Sequence, residues 1–258
     1  MCRLAAYIGP PVALEQFLLQ PSHSLIKQSW APKEMQEAVL NADGFGFGWY
    51  LEANRPCVYL NNLPIWADVN LEHLSVSLSS PIWLANVRSA TPGQMNGLIN
   101  TQPFVSGKHL YMHNGYIEDF NMNIRQRFHE ILDPQIMAGI NGNTDSEYIF
   151  ALLRSHLQNE NQPFVAGIKS AITALGKIIE DGSALINIVL CDGNTVIALR
   201  HAINNACPSL YYTNNDQMFP DASIIASERL TEDTHWQPVP EHHLVVINKD
   251  QKPEIIAL

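Results

Sequence analysis

Cys2 stands directly behind the initiator in Met1-Cys2-Arg3-Leu4. Removal of Met1, the usual fate of a methionine before a small residue, leaves a first residue carrying both a thiol and a free α-amino group. A thiolate is a strong nucleophile, and an amine with a pKa of ~7.7–8.0 accepts the thiol proton near neutral pH. One residue then supplies nucleophile and base together. On local grounds alone, a cysteine at this position also suits the core of a first strand.

Other segments offer partners for such chemistry. Arg88 closes the apolar run Ile82–Val87. An arginine at a strand end is ordinarily solvated or ion-paired, but its planar guanidinium also clamps a carboxylate through two parallel bonds. In Tyr111-Met112-His113-Asn114-Gly115, a strand is expected to end in Asn-Gly, a turn dipeptide. The same pair can aim the Asn114 amide and the Gly115 N–H at one spot and stabilise an oxyanion, with glycine permitting close approach. Thr144-Asp145-Ser146-Glu147 fits a helix capping box, with Asp145 complementing the dipole. A carboxylate there can also receive a substrate ammonium group. Asp43-Gly44-Phe45-Gly46-Phe47-Gly48 precedes strand residues rather than a helix, so close strand packing is expected there and not a phosphate cradle.

Composition bounds the function. Hydrophobic residues make up 46% of the 258 and charged residues 16%, which suits a globular chain with a substantial core. A formal charge of −10 argues against a nucleic-acid surface or a polybasic membrane patch. No apolar run has the length of a membrane span, and the first residues do not form a secretory signal. Cys2, Cys57, Cys191 and Cys207 lie far apart without a paired motif, Cys57 and Cys191 reading as small core residues. His109 and His113 lack a ligand-spaced partner, and His242-His243 reads as surface. The expectation is a cytoplasmic protein in a reducing compartment, with no metal and no cofactor.

Elements that must position these residues follow from periodicity. Strands are expected over 2–8, 46–51, 58–61, 82–88 and 108–113, helices over 121–132, 145–157 and 165–179, then strands over 184–190, 196–200, 210–213, 223–226 and 243–247. Val165, Ile168, Ile172, Leu175 and Ile179 share one side of the third helix. Strands, helices and strands again imply an α+β arrangement, two packed sheets with helices outside, in a single domain over residues 1–258.

Taken together, the motifs resemble the class II glutamine amidotransferase domain, an N-terminal-nucleophile (Ntn) hydrolase. Cys2, Asp43-Gly44-Phe45-Gly46, Arg88 through Thr91, Asn100 to Phe104, His113-Asn114-Gly115 and Thr144 through Glu147 occur in the family's order. Ala226-Ser227-Glu228-Arg229-Leu230 resembles an element of a compact branch that includes the EgtC-type γ-glutamyl hydrolases of the ergothioneine pathway and the Dug3-like peptidases. The resemblance implies a four-layer αββα sandwich. It also implies that Cys2 attacks a γ-glutamyl amide, that Asn114 and Gly115 hold the oxyanion, and that Arg88 with Thr91 binds the α-carboxylate while Asp145 takes the α-ammonium. Two departures stand out: Gln102 where many relatives carry His, and Pro92 after Thr91 where synthase-linked relatives carry His.

The function expected from this resemblance is hydrolysis of a γ-glutamyl conjugate, such as an ergothioneine-pathway intermediate, releasing glutamate. No synthase domain follows in the sequence to receive ammonia. A glutaminase subunit serving a separate synthase partner is the alternative. A non-catalytic glutamine sensor is a second, against which Cys2 and the oxyanion pair argue.

Overall fold

The structure is a computed structural model and describes residues 2–34, 40–90, 97–158, 162–249 and 251–258. Thr91 and Pro92 lie outside the described residues.

The chain opens with β1 (Arg3–Ala13), followed by three short helices and the strands of one sheet: α1 (Leu14–Leu18), α2 (Leu25–Gln28), β2 (Phe45–Leu51), β3 (Arg55–Asn61), α3 (Leu71–Ser77) and β4 (Ser79–Val87). Then come β5 (Phe104–Ser106), β6 (His109–Ile117), a π-type turn at Phe120–Ile124 running into α4 (Arg125–Ile131), α5 (Pro134–Met137), α6 (Asp145–His156) and α7 (Phe164–Ile179). The remainder is β7 (Ala184–Cys191), β8 (Thr195–Ile203), β9 (Tyr211–Asp216), β10 (Phe219–Ala226), β11 (Gln237–Pro238), β12 (His243–Asn248) and β13 (Glu254–Ala257). Two antiparallel sheets result, ordered β11-β9-β10-β1-β4-β2-β3 and β13-β12-β8-β7-β6-β5.

Alternation along the central strands explains the layers, since successive side chains face opposite sides of a sheet. On β1, Leu4, Ala6 and Ile8 join Leu84 of β4, Leu110 and Met112 of β6 and Val189 of β7 in a core between the sheets. Ala5 and Tyr7 face outward onto Phe17, Leu18 and Leu25 of the first helices. On the other sheet, Tyr111, Ile186 and Ile188 meet Phe150, Leu153, Ile168 and Leu175 of α6 and α7. Both faces of each central strand are therefore buried, which accounts for the near-continuous apolar runs of β1 and β7. The order of layers is helix, sheet, sheet, helix, the expected α+β sandwich.

Two expectations are corrected, and three short helices were not anticipated. The outer helices on the first sheet went unread because α1, α2 and α3 are only 5, 4 and 7 residues long, too short to show a period. Asn114-Gly115 is not a turn: β6 runs on to Ile117, with Asn114 opposite Asn187 and Gly115 opposite Ile186. Cys57 is half-buried on edge strand β3 rather than a core residue, whereas Cys191 is fully buried.

The alternating glycines of β2 have a packing reason. Gly44, Gly46 and Gly48 present their bare faces to the space between the sheets, and a Cβ on Gly46 would lie 2.4 Å from Gln102 O. One on Gly48 would sit 3.0 Å from a Leu110 methyl. Gly44 also holds φ +115°, where side chains are strained. The thin face lets the segment through Gln102 lie directly on the sheet.

Candidate active site

Cys2 sits one residue ahead of β1 and continues its alternation, so it shares the inter-sheet face with Leu4 and Ala6. It is 9% exposed, and its thiol is 3.9 Å from Ser89 O. Next to it, β4 pairs Val87 with Arg3 and Asn86 with Leu4. Arg88 follows immediately, buried at 3% exposure. Its placement comes from the loop before β2: Arg88 N donates to Gly44 O at 2.8 Å, Asp43 N donates to Arg88 O at 3.0 Å, and Arg88 Nη1 donates to Asp43 O at 3.3 Å. Asp43 Oδ2 accepts from Ala90 N at 2.8 Å, fixing the turn that carries the arginine. Asp43 thus orients Arg88 and does not itself face a phosphate.

Across the gap, Asn114 lies fully buried on the inter-sheet face of β6. Its Nδ2 donates to Ser227 Oγ at 3.2 Å, and that oxygen also accepts from Leu4 N at 3.1 Å. Ser227 N donates to Leu4 O at 2.9 Å. The Ser227 hydroxyl thereby fastens Asn114 to the strand that begins beside Cys2. Its two acceptor positions are both used.

The backbone of β6 directs Gly115 to the same region. Successive N–H groups of an antiparallel strand point to opposite sides. Glu118 N donates to Ser183 O at 2.9 Å, so the even-numbered N–H groups face the β7 side. Odd-numbered ones face away: His113 N donates to Gln102 Oε1 at 2.6 Å and Ile117 N to Asp145 Oδ2 at 2.7 Å. Gly115 N–H lies between these two and points the same way, beyond the end of β5, which covers only His109–Tyr111. Glycine is required here by packing as well, because a Cβ would lie 1.8 Å from Leu185 O.

Asp145 is buried at the head of α6, where Oδ1 accepts from Ser146 N at 2.8 Å and Oδ2 from Ile117 N. The expected capping box is only half formed. Thr144 Oγ1 accepts from Glu147 N at 3.3 Å, but the Glu147 carboxylate takes Asn141 N at 2.7 Å and Gly142 N at 2.6 Å instead of returning to Thr144. That loop is tied across to Asn100, whose Nδ2 donates to Asn143 Oδ1 at 3.1 Å. His113 faces the helices, between Ser146 Oγ at 2.8 Å and Leu185 O at 3.0 Å. Burial lowers its pKa, with Asp145 and the Leu185 carbonyl acting the other way, so it is a neutral support for α6.

The structure therefore places Cys2 and Arg88 at the inner face of one sheet and Asn114 on the facing side of the other, with Gly115 and Asp145 along the open side of β6. Thr91 lies outside the described residues. Sequence reasoning missed Ser227, whose partners are 223 and 113 positions away. It also missed Asn86, buried beside Leu4 with neither amide atom bonded among the described residues, whereas Gln102, noted as a departure from the family pattern, accepts from the His113 N–H two residues before Gly115. An unsatisfied buried amide such as that of Asn86 is costly. Among the described residues, Cys207, Glu241 and His242 bring donor atoms within 4.8 Å of one another. Neighbours engage two of them, His201 Nδ1 lying 2.8 Å from His242 Nδ1 and Arg200 Nη2 3.5 Å from Glu241.

The arrangement can present a thiol, a carboxylate clamp and two N–H donors to one small substrate. The family model for class-II glutamine amidotransferases matches residues 20–217. The chain belongs to that family. The match begins after Cys2 and ends before Ser227. This amidotransferase chain is 27% identical over 245 residues to a γ-glutamyl-hercynylcysteine sulfoxide hydrolase of Mycolicibacterium smegmatis, covering 95% of each chain. It is 28% identical to the probable glutamine amidotransferase DUG3 of Saccharomyces cerevisiae, covering 96% of this chain and 82% of that one. In fold it is similar to a glutamine aminotransferase class-II domain protein from Silicibacter pomeroyi, with TM-score 0.73, 22% identity and full coverage of both chains. A glutamine phosphoribosylpyrophosphate amidotransferase from B. subtilis aligns with TM-score 0.68 and 16% identity over 99% of this chain and 49% of that one. Among the described residues, no helix is long and apolar enough to cross a membrane.

Proposed function

We propose that this amidotransferase-family chain hydrolyses a γ-glutamyl amide, working as one domain over residues 1–258 in the cytoplasm. What supports the reading is that Cys2 and Arg88, at the inner face of one sheet, look across to Asn114 on the other, with the Gly115 N–H next along β6. After loss of Met1, the Cys2 α-amino group takes the thiol proton and the sulfur attacks the amide carbonyl. The carbonyl oxygen gains negative charge, which Asn114 Nδ2–H and Gly115 N–H stabilise as preorganised donors. The amine leaves with the proton held by the α-amino group, giving a thioester. Water then cleaves the thioester, releasing glutamate and restoring the thiol. Arg88, with Thr91, holds the glutamyl α-carboxylate and Asp145 its α-ammonium, so the scissile carbonyl is fixed over Cys2.

The relatives named as γ-glutamyl-hercynylcysteine sulfoxide hydrolases support a γ-glutamyl conjugate as substrate in preference to free glutamine. Glutamate release from a panel of γ-glutamyl amides tests this. Cys2→Ala is expected to abolish release while keeping the fold, and near-wild-type turnover by that variant would remove Cys2 from the chemistry.

A further inference from the structure

We propose that Cys207, Glu241 and His242, joined by His201, form a binding site for a borderline divalent cation, zinc. The ion clasps the loop after β8 to the start of β12. None of these ligands is among the residues assigned to hydrolysis, so the site stands or falls independently of that reading.

The donor atoms already face one another. One atom each from Cys207, Glu241 and His242 lies within 4.8 Å of the other two. Cys207 Sγ is 4.0 Å from His242 Nδ1, and His201 Nδ1 is 2.8 Å from that same nitrogen. A neutral imidazole has one N–H and one lone pair, so a single proton joins the two rings, and a cation that replaces it binds both. Tetrahedral zinc takes nitrogen at ~2.0–2.1 Å and sulfur at ~2.3 Å, which sets N···N near ~3.3 Å and S···N near ~3.6 Å. The observed 2.8 and 4.0 Å bracket these values. Glu241 and His242 are exposed and Cys207 and His201 half-buried, so small side-chain rotations close the difference. A thiolate with two imidazoles and one carboxylate is a donor set that selects zinc over magnesium or calcium.

Arg200 holds the two segments that carry these ligands. Its Nε donates to Pro208 O at 2.8 Å, its Nη2 to Cys207 O at 3.4 Å, and its Nη1 to Val239 O at 2.8 Å. Nη2 also lies 3.5 Å from Glu241 Oε1, the outer contact that a metal-bound carboxylate ordinarily keeps. The His242 backbone is fixed at both ends, its N donating to Arg200 O at 2.8 Å and its O accepting from Leu258 N at 3.0 Å. Between those anchors His242 holds φ +59°, a left-handed conformation uncommon for a residue with a side chain. Backbone strain of this kind gathers at ligand sites.

Spacing hides the site in the sequence. Cys207 and His242 are 35 positions apart, and the pairing of β8 with β12, Arg200 opposite His243, brings them together. Charge favours the ion. The chain carries −10, and a bound thiolate and carboxylate offset a divalent charge. Exposed Glu241 and His242 leave an open path of entry. The clasped loop also carries Ser209, whose hydroxyl donates to Ser227 O at 2.9 Å and whose carbonyl accepts from Asn187 Nδ2 at 2.9 Å. An ion that needs all these segments in place binds the folded chain in preference to the unfolded one and stabilises it.

The test titrates zinc into the metal-stripped full chain against a chromogenic chelator, with cobalt(II) as a spectroscopic stand-in. One equivalent is expected to bind with a Kd of about 1 μM or tighter, and the cobalt form should show a thiolate charge-transfer band with tetrahedral d–d bands. Cys207→Ser should abolish the charge-transfer band, and both Cys207→Ser and His242→Ala should weaken zinc binding by roughly tenfold or more. Circular dichroism of the metal-free variants reports their folding, and His201→Gln supplies a third variant should one of them fail to fold. Excess zinc should raise the Tm of the wild type and leave that of Cys207→Ser where it stands. Cys2→Ala should keep the cobalt band, and its loss there would assign the ion to the nucleophile and overturn the inference. Binding of less than one equivalent, or affinity unchanged across the folded variants, overturns it as well.

Discussion

The amide of Asn114 donates to the hydroxyl of Ser227, and through that one oxygen the oxyanion side of the site is tied to the strand that starts at Cys2. Ser227→Ala leaves the Leu4 N–H and the Asn114 amide without their acceptor. Each buried loss of this kind costs ~1–3 kcal/mol. The variant is expected to unfold at lower urea, and its kcat should fall about tenfold or more with KM nearly unchanged, because the donor acts on charge formed only in the transition state. Full turnover in Ser227→Ala would detach Asn114 from catalysis.

Gly115→Ala tests packing and chemistry together. The added Cβ meets the Leu185 carbonyl oxygen at 1.8 Å, and a backbone in the middle of a sheet has little room to yield. The expected destabilisation is at or above the ~1–3 kcal/mol typical of overpacking, read as a drop in Tm. An unchanged Tm would show that β6 and β7 are not held in this register.

Arg88→Lys keeps the charge but loses the two-pronged geometry. KM for γ-glutamyl substrates should rise by roughly tenfold or more, with the Tm little altered. An unchanged KM would take Arg88 out of the substrate site.

Acid should weaken the fold through its histidines. The pKa of His113 is lowered from the usual 6.5 by burial, and that of His201 falls to about 4 through burial and then through His242. Such a group binds more protons unfolded than folded, so its stabilisation is complete above pH 6.5 and drains as the pH drops through the folded value. Tm is expected to hold above neutrality and to decline from pH 6.5 toward 4, with a shallower decline in His201→Gln. A Tm profile flat across that window in the wild type would contradict these shifts.

The sandwich was legible because strands buried on both faces leave long apolar runs, as in β7, and because α6 and α7 are long enough to show their period. Cys2, Arg88 and Asn114 were legible by residue type and order. Asn114-Gly115 was misread as a turn because its local chemistry is that of a turn, whereas Leu185, seventy residues on in the sequence, explains why glycine is needed in a continuing strand. Ser227 and Gln102 were visible only as motif members, because the contacts that give them a role form on folding: Ser227 Oγ accepts from Leu4 N, 223 positions away, and Gln102 Oε1 from His113 N, 11 positions on in β6. Contacts made by tertiary closure are invisible to periodicity.

The most direct measurement concerns the first two residues. The enzyme is treated with a glutamine analogue bearing an electrophilic diazoketone in place of its side-chain amide, and intact mass is recorded alongside residual glutamate release. The account predicts one adduct, on Cys2, found only on chains that have lost Met1, with activity falling in proportion to that adduct. Equal labelling or turnover by chains that retain Met1 would contradict it.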